Sequence, residues 1–248
     1  MTDTRIDGWS GAELAAILNL PRVEVLHEVT STLDVAHLLG AEGAKSGTLV
    51  IADRQTAGRG RAGNKWESPA GSGLWITILE RPPDASGMEV LSLRVGLLAA
   101  RALDRFSADP VRLKWPNDLY VDGRKLGGIL TEARWQEGRL EWVALGVGVN
   151  VREPIQFTGG AGLEAGTGRM EVLFELVPAV RAAAACCGEL GSRELAEWSS
   201  RDMARGHDCS QPARGTVLGI NASGELLVAI ADSVARFRSG SLVLDPLT

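Results

Sequence analysis

Leu119-Tyr-Val-Asp-Gly-Arg-Lys-Leu-Gly-Gly-Ile-Leu-Thr-Glu-Ala-Arg134, then Trp135-Gln-Glu-Gly138, then Arg139-Leu-Glu-Trp-Val-Ala-Leu-Gly-Val-Gly-Val-Asn-Val151, decides the fold. Asp122-Gly123 is a strong two-residue hairpin turn, because both positions tolerate positive φ. It pairs Leu119–Val121 with Lys125–Arg134. The turn at Glu137-Gly138 then brings Arg139–Val151 back alongside. The result is an antiparallel meander with no room for crossover helices.

Working outward, Val111–Lys114 reads as a strand stopped by Pro116, and Gly73–Glu80 as one closed by Pro82 and Pro83. Val23–Val29 and Thr48–Ala52 are further strands. Ser31 or Thr32 caps a helix to about Leu39, ended by Gly40 and Gly43. Residues 1–20 hold one short helix. Glu89–Phe106 is the clearest helix, with Leu91, Val95, Leu98, Ala102 and Phe106 on one predicted face. Residues 152–168 form a glycine-rich connection, followed by helices over Met170–Leu190 and Glu194–Met203. Past Gly206 come four short strands: Gly215–Asn221, Glu225–Ile230, Ala235–Arg238 and Ser241–Leu244. The predicted fold is α+β: a mixed, mostly antiparallel sheet with helices over residues 1–204, and a small β-barrel over 205–248.

Composition is that of an ordinary globular chain: 248 residues, 45% hydrophobic and 23% charged. A net charge of −5 does not favour nucleic-acid binding. The three cysteines, two of them adjacent (Cys186 and Cys187), make no disulfide framework. His27, His37 and His207 are scattered without metal-site spacing. No stretch has the ~20 apolar residues of a membrane span, and no signal peptide is legible. A cytoplasmic protein is expected.

Against this acidic background, Arg54, Arg59, Arg61 and Lys65 cluster with Asp53 as their only sequence-neighbouring acid. Gly58-x-Gly60-x-x-Gly63 matches the dinucleotide fingerprint by letter. That fingerprint needs a helix directly after its glycines, and here Pro69, Gly71 and a strand follow. The better reading is a loop whose backbone N–H groups and cations wrap an anion, with Trp66 as an apolar plate. A solvated basic loop is the plain alternative. The loop is expected to lack order until ligand arrives, because its arginines have no evident partners.

In Lys114-Trp-Pro-Asn-Asp118, Pro116 ends the strand and puts Asn117 and Asp118 on a bend. An amide there suits adenine or phosphate, and a carboxylate suits Mg²⁺ beside substrate phosphates. Both residue types also simply make turns. Lys125 stands on a strand just after the tight turn, where a lysine is otherwise a common surface residue.

Taken together, these segments resemble biotin protein ligases. The resemblance is carried by Thr30-Ser31-Thr32, Gln55-Thr-Ala-Gly-Arg-Gly-Arg-Ala-Gly-Asn-Lys-Trp66, Lys114-Trp-Pro-Asn-Asp118, Lys125-Leu-Gly-Gly-Ile129 and Gly146-Val-Gly-Val-Asn150. It covers about residues 23–248 and implies a class II synthetase-like catalytic domain. It implies biotin and ATP as substrates, Mg²⁺, and a biotin carboxyl carrier domain of a biotin-dependent carboxylase as partner. It implies that Ser31, Thr32, Gln55, Gly58, Arg59, Gly60, Arg61, Lys125 and Gly128 hold biotin. By the same token Arg59, Arg61, Trp66, Asn117 and Asn150 contact ATP, Asp118 contacts the metal, and Lys125, Arg61 and Arg59 are catalytic. About twenty residues precede the matching part, so no DNA-binding domain is expected; monomer and homodimer are both open. The family's adenine-covering tryptophan has no counterpart in residues 152–168, where Phe157 is the available aromatic. Two alternatives stand beside this reading. One is a lipoate or octanoate ligase or transferase of similar fold. It is disfavoured because Cys186 and Cys187 lie in an alanine-rich helix and no glycine triplet followed by histidine is present. The other is a non-catalytic biotin-binding protein, which could lose Lys125 and Asn117.

Overall fold

A computed structural model describes residues 4–154 and 159–245; Phe157 lies outside them. The chain opens with β1 (Arg5–Ile6), β2 (Trp9–Ser10) and α1 (Gly11–Ile17). Then follow β3 (Val23–Val29), α2 (Thr32–Ala41), β4 (Thr48–Gln55), β5 (Gly73–Glu80) and α3 (Leu91–Leu103). The meander is β6 (Arg112–Lys114), β7 (Asp118–Val121), β8 (Arg124–Gln136) and β9 (Arg139–Asn150). α4 (Arg169–Ala184) and α5 (Ser192–Arg201) follow. The last strands are β10 (Asp208–Gln211), β11 (Gly215–Ile220), β12 (Leu226–Ile230), β13 (Ser233–Phe237) and β14 (Val243–Leu244).

Seven strands form the main sheet in the order β3-β4-β5-β9-β8-β7-β6. Only β3 and β4 run parallel; every other neighbouring pair is antiparallel. Alternation along the strands divides the sheet into two faces. Leu49, Ile51, Leu74, Ile76, Val147 and Val149 join the large core with α3 and α4. Val50 and Ala144 face the other way, under Leu33, Ala36 and Leu39 of α2. Short α2 covers only part of that second face.

Three helix expectations are corrected. α4 ends at Ala184 and not at Leu190, which leaves Cys186 and Cys187 beyond the helix and not in it. Gly40 does not end α2 but lies inside it, because a side chain there would strike the Trp142 ring at 2.7 Å. In α3 the predicted face is too narrow: Leu93, Leu97, Ala99 and Ala100 are buried, while Leu98, Ala102 and Phe106 are only partly so. The helix is enclosed by the sheet, α4 and α5, so most of its circumference is core. Even Arg94 is 2% exposed, its guanidinium 2.6 Å from Glu194 Oε1 and 3.0 Å from the Glu189 carbonyl.

The C-terminal strands form an antiparallel sheet in the order β13-β12-β11-β10-β14. Among the described residues β13 and β14 are not paired with each other. β10 was not legible from the sequence. The buried Trp115 indole donates to the Gly224 carbonyl at 3.0 Å, tying this sheet to the bend after β6. No described helix is long and apolar enough to cross a membrane.

Candidate active site

The site is built on one rung of the main sheet. Trp75 pairs with Gly148, Gly148 with Gly128, Gly128 with Asp118, and Asp118 with Lys114. Cross-strand partners project to the same face, so this row sets a tryptophan, two bare glycines, a carboxylate and an ammonium side by side. The bare stretch is filled by Trp66. A side chain at Gly148 would come within 2.6 Å of the Trp66 indole nitrogen, and one at Gly128 within 3.5 Å of its ring. Gly146, two residues along β9, seats Leu33 of α2 in the same way, at 3.2 Å. The glycine spacing in Gly146-Val-Gly148 therefore docks both the helix and the loop that frame the cleft.

The loop folds back on itself. Trp66 N donates to Gly58 O at 2.9 Å and Gly60 N to Asn64 O at 2.7 Å, making a small hairpin. Its tip is a turn of 3₁₀ helix at Arg61–Gly63, where Ala62 and Gly63 have φ of 53° and 77°. The expectation of unpaired arginines is corrected. Arg59 Nη2 lies 2.9 Å from Asp34 Oδ1, and its Nη1 lies 3.1 Å from Glu132 Oε1. Arg54 Nη1 is 2.9 Å from Glu28 Oε2. These partners come from α2, β8 and β3, so nothing local in the sequence announces them. Each pair is substantially exposed and contributes about 0–1 kcal/mol. Arg61 has no ion-pair partner among the described residues, and burial lowers its pKa against an opposing effect of Asp118.

Beneath the hairpin lies a cavity of about 180 Å³. It gathers Ser31, Thr32, Gln55, Arg59, Gly60, Arg61, Trp66, Asn117, Asp118, Lys125 and Gly128 into one lining. Gly58 and Asn150 stand outside it. Gly58 lies behind the hairpin, where a side chain would meet Trp66 O at 2.3 Å. Asn150 is 8% exposed, and its amide donates to the Lys125 carbonyl at 3.4 Å, so it supports the strand under that lysine.

At one end of the cavity the polar groups already satisfy one another. Gln55 Oε1 accepts from Thr32 N at 2.9 Å and from its hydroxyl at 3.2 Å, while Gln55 Nε2 donates to Ser68 Oγ at 2.8 Å. Ser31 Oγ accepts from Leu33 N at 3.3 Å, the expected N-cap. Thr77 Oγ1 lies 2.8 Å from Thr32 Oγ1 and was missed; its place two residues past Trp75 on β5 was the available signal.

The other end is cationic. Lys125 Nζ is 2.7 Å from Asp118 Oδ1 and 5.3 Å from the centre of the Trp66 ring. Lys125 is also clamped by its backbone: its N–H donates to Gly159 O at 2.9 Å, and its carbonyl accepts from Ala161 N at 2.8 Å. Lys114, quoted in its motif but given no role, also lines the cavity and lies over Tyr120 at 5.7 Å. Burial lowers its pKa, opposed by Asp118 and assisted by Lys125. Burial pushes the Tyr120 hydroxyl up to about 12. Asn117 Nδ2 donates to the Ile129 carbonyl at 2.7 Å, which pins the bend after β6 to β8 and leaves the side-chain oxygen for other partners. Gly240, Ser241 and Leu242 complete the wall from the C-terminal sheet, which sequence reasoning missed because they are remote in the chain. No cysteine lines the cavity; Cys186 and Cys187 are exposed and Cys209 is buried elsewhere.

Among the described residues Asp118 is the only acid in the lining, and no cluster of three or more metal-ligating side chains occurs. A single carboxylate still fits Mg²⁺ that arrives with nucleotide, since that ion keeps waters and substrate phosphates as its other ligands.

Residues 25–150, which hold α2, the hairpin, β5 and the whole meander, match the family model described as the biotin/lipoate A/B protein ligase family. The chain belongs to that family. Among curated relatives of this ligase-family chain, "Bifunctional ligase/repressor BirA" of Bacillus subtilis is 37% identical over 131 residues, covering 52% of this chain and 40% of that protein. "Biotin--[acetyl-CoA-carboxylase] ligase" of Paracoccus denitrificans is 35% identical over 124 residues, covering 49% of this chain and 52% of that one. The family chain thus matches about half or less of the length of these relatives. Among solved structures it is similar to the Aquifex aeolicus biotin protein ligase in complex with biotin and ATP. The TM-score is 0.72 at 26% identity, over 90% of this chain and 98% of that one.

Proposed function

We propose that this chain is an ATP-dependent biotin protein ligase, acting in the cytoplasm on the carrier domain of a biotin-dependent carboxylase. The observation that carries the reading is the composition of one cavity. Lys114, Lys125 and Arg61 stand at one end, Thr32 and Gln55 at the other, and Trp66 lies between them. A ligand with an anionic tail and a polar, uncharged head fits that gradient, and a second anion can share the cationic end.

In the first half-reaction the biotin carboxylate oxygen attacks the α-phosphorus of ATP and pyrophosphate leaves. Two anions must meet, and fixed cations in a partly dry site lower that barrier. Lys125 is the residue for the carboxylate and Arg61 for the α-phosphate. Arg59, through its place in the hairpin, and the Gly60 backbone close the site. Ser31, Thr32 and Gln55 exchange their mutual hydrogen bonds for the biotin ureido group, with Gly128 leaving room beside Trp66. Asn117 serves the nucleotide. Asp118 would hold Mg²⁺, which supplies charge neutralisation at the phosphates. In the second half-reaction a carrier lysine amine attacks the acyl carbon of biotinyl-AMP, and AMP leaves with its bonding electron pair. Positioning supplies much of the acceleration, and no covalent enzyme intermediate is needed. The domain division proposed is 1–204 for chemistry and 205–248 for the appended sheet.

The test is pyrophosphate exchange into ATP, run with biotin, lipoate and octanoate in parallel. Exchange with biotin alone is expected. Exchange driven by lipoate or octanoate would assign the alternative acyl ligase. Biotin binding without exchange would assign a binding protein.

A further inference from the structure

Glu132 lies outside the cationic cavity, yet it is the centre of a connected set of contacts reaching the loop above it. Its carboxylate takes Arg59 in a fork, Nη1 to Oε1 at 3.1 Å and Nη2 to Oε2 at 3.2 Å. The same Oε2 lies 2.9 Å from His37 Nε2. Trp142 Nε1–H points at His37 Nδ1 at 3.0 Å, so Nδ1 is the acceptor and Nε2 carries the proton donated to Glu132. Trp142 is itself fixed, 8% exposed, against Gly40 and beneath the Arg81 guanidinium at 5.4 Å. Asp34 takes the remaining side of Arg59. A rigid indole thus orients an imidazole, which orients a carboxylate, which grips a hairpin side chain that is ion-paired to both the sheet and α2.

We propose that Glu132 is a positioning residue that, together with Asp34, latches the Arg59 hairpin over the cavity, so that it governs ligand retention and not the bond-making step. The proposal rests on the ligase reading for the identity of the ligand, but not for the existence of the latch. Surface ion pairs of this kind are individually weak, which suits a closure that must open every turnover. His37 sets the direction of the Glu132 carboxylate, so its loss weakens the latch less than loss of Glu132.

The experiment compares wild type with Glu132→Gln, Asp34→Asn and His37→Ala in two assays. The first is limited trypsin cleavage after Arg59 and Arg61 in the unliganded protein, which needs no assumption about the ligand. Glu132→Gln and Asp34→Asn should cut about three- to five-fold faster, His37→Ala about two-fold faster, with unchanged melting temperature. The second is biotin-dependent pyrophosphate exchange. Glu132→Gln should raise KM for biotin about three- to five-fold and leave kcat within two-fold. Arg59→Glu alone should cut faster after Arg61, the loop site it keeps, and adding Glu132→Arg should slow that cleavage again. Wild-type cleavage rates in Glu132→Gln, or a fall in kcat at constant KM, would overturn the latch. Wild-type protein that shows no biotin exchange would instead overturn the ligase reading, leaving the cleavage result to judge the latch.

Discussion

Gly128 and Gly148 stand opposite each other on β8 and β9, and the Trp66 indole occupies the space a side chain at Gly148 would take while lying in van der Waals range of the Gly128 position. Gly148→Ala places a methyl 2.6 Å from the indole nitrogen and 2.8 Å from the adjoining ring carbon. The strand below cannot move, because β9 is paired on both sides. The indole must lift instead, at about 1–3 kcal/mol for such overpacking. Biotin affinity is expected to fall ten-fold or more with the far-ultraviolet circular dichroism unchanged. Isothermal titration of both proteins measures it.

Lys125→Ala removes the cation expected at the reacting carboxylate. Its ion pair with Asp118 is partly exposed, so the fold loses about 1 kcal/mol or less. Loss of a group that acts on developing charge costs about 10²–10³ in rate. Pyrophosphate exchange should fall by that factor with the melting temperature nearly constant. Exchange at the wild-type rate would remove Lys125 from the mechanism.

Cys186→Ser combined with Cys187→Ser should leave biotin-dependent exchange unchanged, since both thiols are exposed and neither lines the cavity. Loss of acyl transfer in this variant would point to a thioester route and to the transferase alternative.

Arg94 and Glu194 tie α3 to the start of α5 with one partner almost wholly inside. Glu194→Ala leaves a buried guanidinium without its counter-ion, at about 3–5 kcal/mol. The hydrogen bond from Arg94 holds the Glu194 carboxyl below its ordinary 4.5. A depressed folded-state value means the pair's contribution is complete above 4.5 and disappears as pH falls through the folded value. Urea unfolding at pH 7 and at pH 3 should therefore show a large difference between wild type and variant at the higher pH and a smaller one at the lower.

The order in which these residues are found in the sequence reflects the range of the forces that place them. Asp122-Gly123, Glu137-Gly138 and the Ser31 cap act within a few residues, so the meander and the start of α2 were legible. Gln55, Arg61, Trp66, Asn117, Asp118 and Lys125 were legible as a set because their motifs resemble a known family, and the structure brings all of them to one lining. Arg59 and Arg61 could not be told apart by sequence. Their difference lies in Asp34 and Glu132, which only the packing of α2 and β8 delivers. The same holds for Thr77 and for Ser241, which reach the site through the third dimension. The narrow face predicted for α3 failed because periodicity reports one buried side, and this helix has several.

The clamp of Gly159 and Ala161 on the Lys125 backbone fastens this pair of residues to the strand that carries a cavity ammonium. The Ala161 amide is therefore a native reporter: its deuterium uptake should track occupancy of the cavity without any label being introduced there.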